Sequence, residues 1–314
     1  MLLESLTQAA GVSGNEDEVR RILRDEAVKA VADVECDVLG NLIARKHPAG
    51  TSRDKTARPL VMLAAHMDEV GLIVSYIEKE GFLRFQKVGG IDDRILPGKE
   101  VLVGRDRVRG VIGLKPLHLQ EKDEWEKVVE SDKLLIDIGA RSREDAEKRV
   151  RPGDYVAFAG GFRRLGNRTV KAKALDDRAG CAVLAEILTR DYPLSIAGVF
   201  TVQEEVGLRG ASVAAYAVEP DMALVIEATI CSDTPGTDDH LRATRLGHGP
   251  ALSIMDGTSI ASKTMLKQLV KVATENNIPY QFKRATLGGN DAGRIHLSKI
   301  GIPTASVSVP CRYI

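Results

Sequence analysis

The pattern of apolar residues changes at two points along the sequence, and these two changes limit the possible folds more than any other feature. Residues 70–164 contain many short β-branched runs separated by glycine, such as FLRFQKV and VRGVIGL, which are typical of an all-β domain. On both sides, apolar runs long enough for helices alternate with short apolar runs typical of buried strands. We therefore predict an α/β three-layer sandwich formed by residues 1–69 and 165–314, with an inserted all-β barrel-like domain at residues 70–164.

Short strands and longer helices alternate in the α/β part of the sequence. The run PLVMLAAH at residues 59–66, which comes directly after a charged turn at residues 51–59, predicts a buried strand that ends at His66. The run AGCAVLAEILTR predicts a helix, and IAGVFTVQ and MALVIE predict further buried strands. Because open α/β sheets bind ligands beyond the carboxyl ends of their strands, polar residues at those ends are the candidates for a functional site.

Composition argues against several classes of function. The 44 Lys and Arg residues equal the 44 Asp and Glu residues, so the chain has no overall charge to hold nucleic acid or an anionic membrane. The four cysteines occur singly, without CxxC spacing, which argues against a thiolate metal site and favours a reducing compartment. The first residues lack the pattern of a signal peptide, and no apolar run reaches about 18 residues. We therefore expect a cytoplasmic protein with no nucleic-acid or membrane partner.

Four polar clusters lie at the ends of predicted buried strands or in the loops after them. They are His66 with Asp68, the pair Asp176 and Asp177, the pair Glu204 and Glu205, and Glu227. Taken singly, such a histidine is more often structural, and paired acids are more often turn residues or helix caps. Together at one edge of a sheet, one imidazole and several carboxylates would need a cation to offset their charge. Nitrogen and oxygen ligands suit Zn, Co or Mn, and two such ions bridged by a carboxylate form the clamp used by aminopeptidases.

Several motif blocks resemble those of a known family. In order along the chain, they are AAHMDEVGLIV, ALDDRAGCAVLAEIL, TVQEEVGLRGA, VIEATICSDTPG and GGNDAGRIHLSKIGIPTASVSVPCRYI. The same order is found in the tetrahedral (TET) dinuclear metallo-aminopeptidases, also called the glutamyl aminopeptidase or cellulase M family, and the resemblance extends over nearly the whole chain. It implies a metal-dependent aminopeptidase that hydrolyses N-terminal residues from short peptides with a water molecule activated by two metal ions.

The resemblance also implies which residues hold the two divalent ions, which would be Zn or Co, with Mn a further option. His66 and Glu227 would bind one ion, Glu205 would bind the other, and Asp176 would bridge them. A histidine directly after Ile314 would complete the second metal site. No thiolate takes part in this set of ligands.

Two further residues receive roles from the resemblance. Glu204 would be the general base, and Asp68 would orient the imidazole of His66 by contacting it from outside the ligand set. A cis peptide bond is expected between Asp176 and Asp177. The segment GGNDAG departs from the family because an asparagine stands where Thr or Ser is commoner, and we expect only a modest effect on the pocket.

The assembly of the protein is implied by the resemblance alone. Dimers would form through the inserted domain at residues 70–164, and these dimers would build a hollow homo-oligomer, a dodecamer. Active sites confined in such a particle would receive only short or unfolded peptides.

Other functions remain open at this point. Paired carboxylates also cleave glycosidic bonds, as in an endoglucanase, but sugar clefts are rich in aromatic side chains and this chain contains one Trp and 4% aromatic residues. An inactive oligomeric protein with an incomplete metal site is a second alternative, and a deacylase of N-acyl amino acids is a third. The sequence leaves the preferred N-terminal residue and the native metal undetermined.

Overall fold

The structure is a computed structural model that describes residues 1–48, 59–120, 127–284, 286 and 288–314. The charged turn predicted at residues 51–59 lies outside the described residues, apart from Pro59. No helix in the described part of the chain combines the length and the apolar character needed to cross a membrane.

The secondary-structure elements are numbered in chain order. The helices are α1 (Leu2–Gln8), α2 (Asp17–Ala30), α3 (Arg143–Glu147), α4 (Leu175–Leu188), α5 (Arg209–Val218), α6 (Lys263–Glu275) and α7 (Ala292–Ile295). The strands are β1 (Asp33–Cys36), β2 (Leu42–Lys46), β3 (Leu60–His66), β4 (Gly71–Ile77), β5 (Leu83–Val88), β6 (Glu100–Val103), β7 (Val108–Gly113), β8 (Leu135–Asp137), β9 (Tyr155–Phe158), β10 (Arg163–Leu165), β11 (Thr169–Lys171), β12 (Ser195–Thr201), β13 (Met222–Ile230), β14 (Ala251–Ser253), β15 (Gln281–Lys283) and β16 (Thr304–Cys311).

The first compact unit comprises residues 1–9, 16–68 and 174–314 and contains an eight-stranded sheet. Its strand order is β1-β2-β12-β3-β13-β16-β14-β15. The central strands β12, β3, β13 and β16 are parallel to their neighbours in that group. Strand β12 is buried at every position, which explains why the central strands read as continuous apolar runs rather than as alternating ones.

Helices cover both faces of this sheet, and alternate residues of each central strand face opposite layers. Leu63 of β3 packs in one apolar cluster with residues of α1, α2 and α4, whereas Met62 packs in another with residues of α5 and α7. In α2, Val19, Leu23 and Ala27 recur every four residues and form its buried face. The predicted α/β three-layer sandwich is confirmed.

The second compact unit comprises residues 10–15 and 69–173. Strands β4, β5, β8, β7, β6 and β9 close into a barrel in that order, and β10 and β11 form a separate two-stranded sheet. Inward-facing residues such as Leu72, Val74 and Ile112 form the core of the barrel. The barrel-like character predicted for the insert is thus confirmed.

The ends of the second unit are held by contacts between residues that are distant in sequence. Residues 70–164, predicted as the insert, lie within a unit that also takes in residues 10–15, Glu69 and 165–173. Val12 forms a β-bridge with Glu69, and a Cβ atom at Gly71 would lie only 2.4 Å from the side chain of Val12. Lys173 Nζ lies 2.6 Å from Glu69 Oε1 in a pair that is almost fully buried.

Candidate active site

The parallel pairing of two strands sets two of the predicted site residues side by side. Val225 of β13 pairs with Ala64 of β3. Because side chains alternate along a strand, Glu227 and His66, each two residues further on, lie next to each other on the same face. His66 Nε2 is 3.3 Å from Glu227 Oε1.

The start of α4 adds the third residue to this pair. His66 Nε2 lies 3.0 Å from Asp176 Oδ1. The peptide bond between Asp176 and Asp177 is cis, as predicted. Asp177 is fully buried, and its carboxylate accepts the backbone N–H of His66 at 3.3 Å and that of Gly180 at 2.9 Å. The same side chain therefore holds the end of β3 against the start of α4.

Asp68 connects the imidazole with the loop that carries the two glutamates. Its Oδ1 lies 3.5 Å from His66 Nδ1. The same carboxylate accepts the backbone N–H of Glu204 at 2.9 Å and that of Glu205 at 3.1 Å. Asp68 thus contacts both the histidine and the glutamate loop from a fully buried position.

The structure brings all six predicted site residues together with Asp177, which the sequence analysis paired with Asp176 without giving it a role. Three groups of side chains have ligand atoms within 4.8 Å of one another; they are His66 with Glu204 and Glu227, His66 with Asp176 and Glu205, and Asp176 with Asp177 and Glu227. One imidazole and five carboxylates therefore form these groups at the carboxyl ends of the central strands. The individual roles of these residues stay predictions.

Burial and mutual repulsion shift the pKa values of these groups. Burial raises the pKa of Glu204 to about 10 and that of Glu227 to about 8, although His66 opposes both shifts. Burial also raises the pKa of Asp177 well above its usual value, and Glu227 adds to the shift. Burial alone would lower the pKa of His66, but Glu227 and Glu204 more than offset this and raise it.

These shifts test whether the residues fit a metal site. A group of buried carboxylates that retains protons at neutral pH has more negative charge than its surroundings stabilise. A divalent cation would replace those protons and offset the charge. Imidazole nitrogen and carboxylate oxygen are ligands that Zn, Co and Mn accept, so the donor set fits such ions.

Two buried side chains support the cluster from α4. Arg178 is fully buried and donates to the carbonyl oxygens of Met67 at 2.7 Å and Leu6 at 2.6 Å. The thiol of Cys181 donates to the carbonyl oxygen of His66 at 3.1 Å. Helix α4 is therefore joined to the end of β3 by side chains as well as by apolar packing.

Sequence reasoning grouped Asp177 with Asp176 without giving it a role, and it missed Asp291 as part of the site. Asp291 is buried and accepts the hydroxyl hydrogen of Thr201, the residue paired with His66 across β12 and β3. Burial raises the pKa of Asp291 to about 6. Its position in the block GGNDAG was the only sequence signal that could have pointed to it.

Comparison with known proteins identifies the family. Residues 40–314 match the family described as M42 glutamyl aminopeptidase. The chain belongs to this family. Membership of M42 implies an aminopeptidase that uses a divalent metal, and the cluster around His66 offers suitable ligands.

Individual members of the M42 family and their structures agree with this assignment. A protein of Acetivibrio thermocellus named as an aminopeptidase is 42% identical, and the alignment covers 100% of this chain and 90% of that protein. The crystal structure of the TET aminopeptidase from the marine sediment archaeon Thaumarchaeota archaeon SCGC AB-539-E09 has a TM-score of 0.94 and 39% identity, covering 100% of this chain and 88% of that one.

A third similar protein is the Pyrococcus horikoshii TET1 peptidase, which can assemble into a tetrahedron or a large octahedral shell. It is 36% identical with a TM-score of 0.85, and the match covers 100% of this chain and 92% of that one. The resemblance seen in the motif blocks and the aminopeptidase function that it implied are confirmed.

Proposed function

We propose that this M42 aminopeptidase holds two divalent metal ions in the cluster around His66. His66 and Glu227 would bind the first ion, Glu205 would bind the second, and Asp176 would bridge them. The observation that carries the proposal is that His66 Nε2 lies 3.0 Å from Asp176 Oδ1 and 3.3 Å from Glu227 Oε1 inside a buried group of carboxylates. Zn and Co suit these ligands, and Mn is a further option.

The chemistry follows from the residues that surround the ions. Divalent ions held by these residues would supply a Lewis acid for the peptide carbonyl and would lower the pKa of a bound water. Glu204, which would lose its own proton when the ions bind, accepts the proton of the attacking water at a carboxylate oxygen and delivers it to the nitrogen of the leaving peptide. Asp68 keeps the imidazole of His66 oriented through its contact with Nδ1.

Attack at the end of a peptide follows from the family to which the chain belongs. Residues 40–314 match the M42 glutamyl aminopeptidases. Removal of single N-terminal residues from short peptides is therefore the reaction that we assign to the cluster.

The proposal is tested by measuring metal content and hydrolysis on the same protein. Purification without chelator should yield two ions per chain, and Zn or Co should restore the release of p-nitroaniline from aminoacyl p-nitroanilides after chelation. Chains without metal and without activity would contradict the proposal and favour an inactive oligomeric protein. Glucan hydrolysis that persists after metal removal would instead favour an endoglucanase.

We further propose that the protein forms a homo-oligomer in the cytoplasm. Support for the assembly comes from the P. horikoshii TET1 peptidase, which assembles into a tetrahedron or an octahedral shell. In this chain, dimers formed by the inserted domain would build a dodecamer. The four cysteines are all free thiols, which suits a reducing compartment. Light scattering should report the mass of twelve chains, and a monomer would contradict the assembly.

A further inference from the structure

The loop between β12 and α5, residues 202–208, carries Glu204 and Glu205 and is held in an unusual way. Four successive backbone N–H groups, at residues 202–205, each donate to a side chain rather than to another backbone group. Gln203 has a left-handed φ of 55°. Successive N–H groups around such a residue converge on one side and favour carboxylate or amide acceptors.

Asn41 closes this loop at both ends. Its Oδ1 accepts the N–H of Val202 at 3.0 Å, and its Nδ2 donates to the carbonyl of Gly210 at 3.0 Å. Asn41 is fully buried, and Asp37 also accepts from its Nδ2. A Cβ atom at residue 210 would lie 2.4 Å from Asn41 Oδ1, so glycine is required there. One amide side chain therefore sets the distance between the first residue of the glutamate loop and the first turn of α5.

Glu16 holds the middle of the loop. It precedes α2, is only 3% exposed, and accepts the N–H of Gln203 at 3.2 Å through Oε1. Its other oxygen lies 4.0 Å from the guanidinium of Arg20. The next two N–H groups, those of Glu204 and Glu205, donate to Asp68.

We propose that Glu16 and Asn41 are positioning residues for the metal centre, and the proposal rests on the function assigned above to Glu204 and Glu205. Asn41 accepts the backbone N–H of Val202, and Glu16 accepts that of Gln203, so both contacts lie just before the two glutamates. Together with Asp68, they fix the stretch of backbone from which the two glutamate side chains extend. Neither Glu16 nor Asn41 belongs to the groups of possible metal ligands. They act on the ions through the loop.

Substitutions of Glu16 separate this role from ordinary stability. Glu16→Leu removes the acceptor for Gln203 N–H, whereas Glu16→Gln keeps an oxygen in the same place. Loss of an outer contact of this kind weakens metal affinity or activity by about 10–100-fold. In a chelator competition, we expect Glu16→Leu to bind one of the two ions about 10–100-fold more weakly than the parent protein. Its kcat should fall by a larger factor than its KM changes. Glu16→Gln should restore most of the affinity. Glu26→Leu, on the exposed side of the same helix, is the matched control.

Asn41→Ala gives an independent test with the same measurements, and circular dichroism establishes that each variant is folded. If Asn41→Ala does not fold, the comparison of Glu16→Leu with Glu16→Gln decides alone. Equal metal affinity in the parent protein and in folded Glu16→Leu would overturn the proposal, as would an equal loss in Glu16→Gln and Glu16→Leu. Absence of bound metal in the parent protein would instead contradict the proposed function.

Discussion

Glu204 and Glu205 are neighbours in sequence, yet the structure puts them in different surroundings. Glu204 is buried and has a pKa raised to about 10 by burial and by nearby carboxylates, with His66 opposing the shift. Glu205 is less buried and shares a group of possible ligands with His66 and Asp176. The two glutamates can therefore take different roles, and the proposal assigns proton transfer to Glu204 and metal binding to Glu205.

The first prediction separates those two tasks. Glu204→Gln removes the group that accepts the proton of water, so kcat should fall by about 100- to 10,000-fold. Metal content should stay at the value of the parent protein because Glu204 is not assigned as a ligand. Mass spectrometry of bound metal and p-nitroanilide hydrolysis measure the two quantities. Glu186→Gln, at an exposed position of α4, is the control; loss of an ion in Glu204→Gln would show that Glu204 is itself a ligand.

The second prediction concerns the stability of the metal-free protein at different pH. Burial raises the pKa of Glu227 from 4.5 to about 8, even though His66 opposes the shift. Between these two values, the folded chain holds a proton that the unfolded chain has released, so the free energy of unfolding decreases as pH rises. The Tm of chelated protein should therefore fall from about pH 5 to about pH 8, and Glu227→Gln should reduce this dependence. A Tm that rises over the same range would contradict the shift.

At the scale of elements, the site depends on how α4 meets the end of β3. The two elements are separated by about a hundred residues, and side chains at the start of α4 contact the backbone of residues 66 and 67. The sequence predicted both elements because each contains a run of apolar residues with the length typical of its type. It did not predict the buried Arg178, since an arginine in a helix is usually read as a solvent-exposed residue.

The third prediction follows from that arginine. Arg178→Met leaves the carbonyl oxygens of Met67 and Leu6 without their buried donor, and each such loss costs about 1–3 kcal/mol of the free energy of unfolding. Urea denaturation of the metal-free protein measures the change. Arg190→Met removes an exposed arginine that forms a surface ion pair with Glu186, and it should change the stability by about 1 kcal/mol or less. Equal losses in the two variants would mean that the buried contacts contribute little.

At the scale of the whole molecule, each compact unit has its own apolar core, and the second also contains a buried ion pair. Lys173 Nζ lies 2.6 and 2.7 Å from the two carboxylate oxygens of Glu69, and Glu69 also accepts the N–H of Gly11. This pair joins three parts of the chain that are far apart in sequence. The pair therefore helps to explain why the second unit includes residues on both sides of the range 70–164.

The fourth prediction tests this pair with a double-mutant cycle. Lys173→Met leaves the Glu69 carboxylate buried without its cation, which should lower the free energy of unfolding by about 3–5 kcal/mol. The double variant Glu69→Leu/Lys173→Met removes both charges and should lose much less. Urea unfolding of all four proteins of the cycle gives the coupling energy. A double variant as unstable as Lys173→Met would show that packing rather than charge pairing is responsible.

The sequence by itself determined the fold class and predicted most residues of the candidate site. Apolar runs and β-branched runs are local patterns, so they separated the α/β part from the barrel. The blocks around His66, Asp176, Glu204 and Glu227 resembled a known family, and this resemblance named six site residues before their distances were known. The family itself was identified correctly from the same blocks.

Only the tertiary structure decided which distant residues meet. Asp68 and Glu204 are 136 positions apart, and Asn41 and Val202 are 161 positions apart, yet each pair forms a buried hydrogen bond. The strand order β2-β12-β3 brings these segments together. Glu16 and Asn41 carry no local signal of their position beside the site, because an acid or amide becomes a positioning residue only when a folded backbone presents a buried N–H group to it.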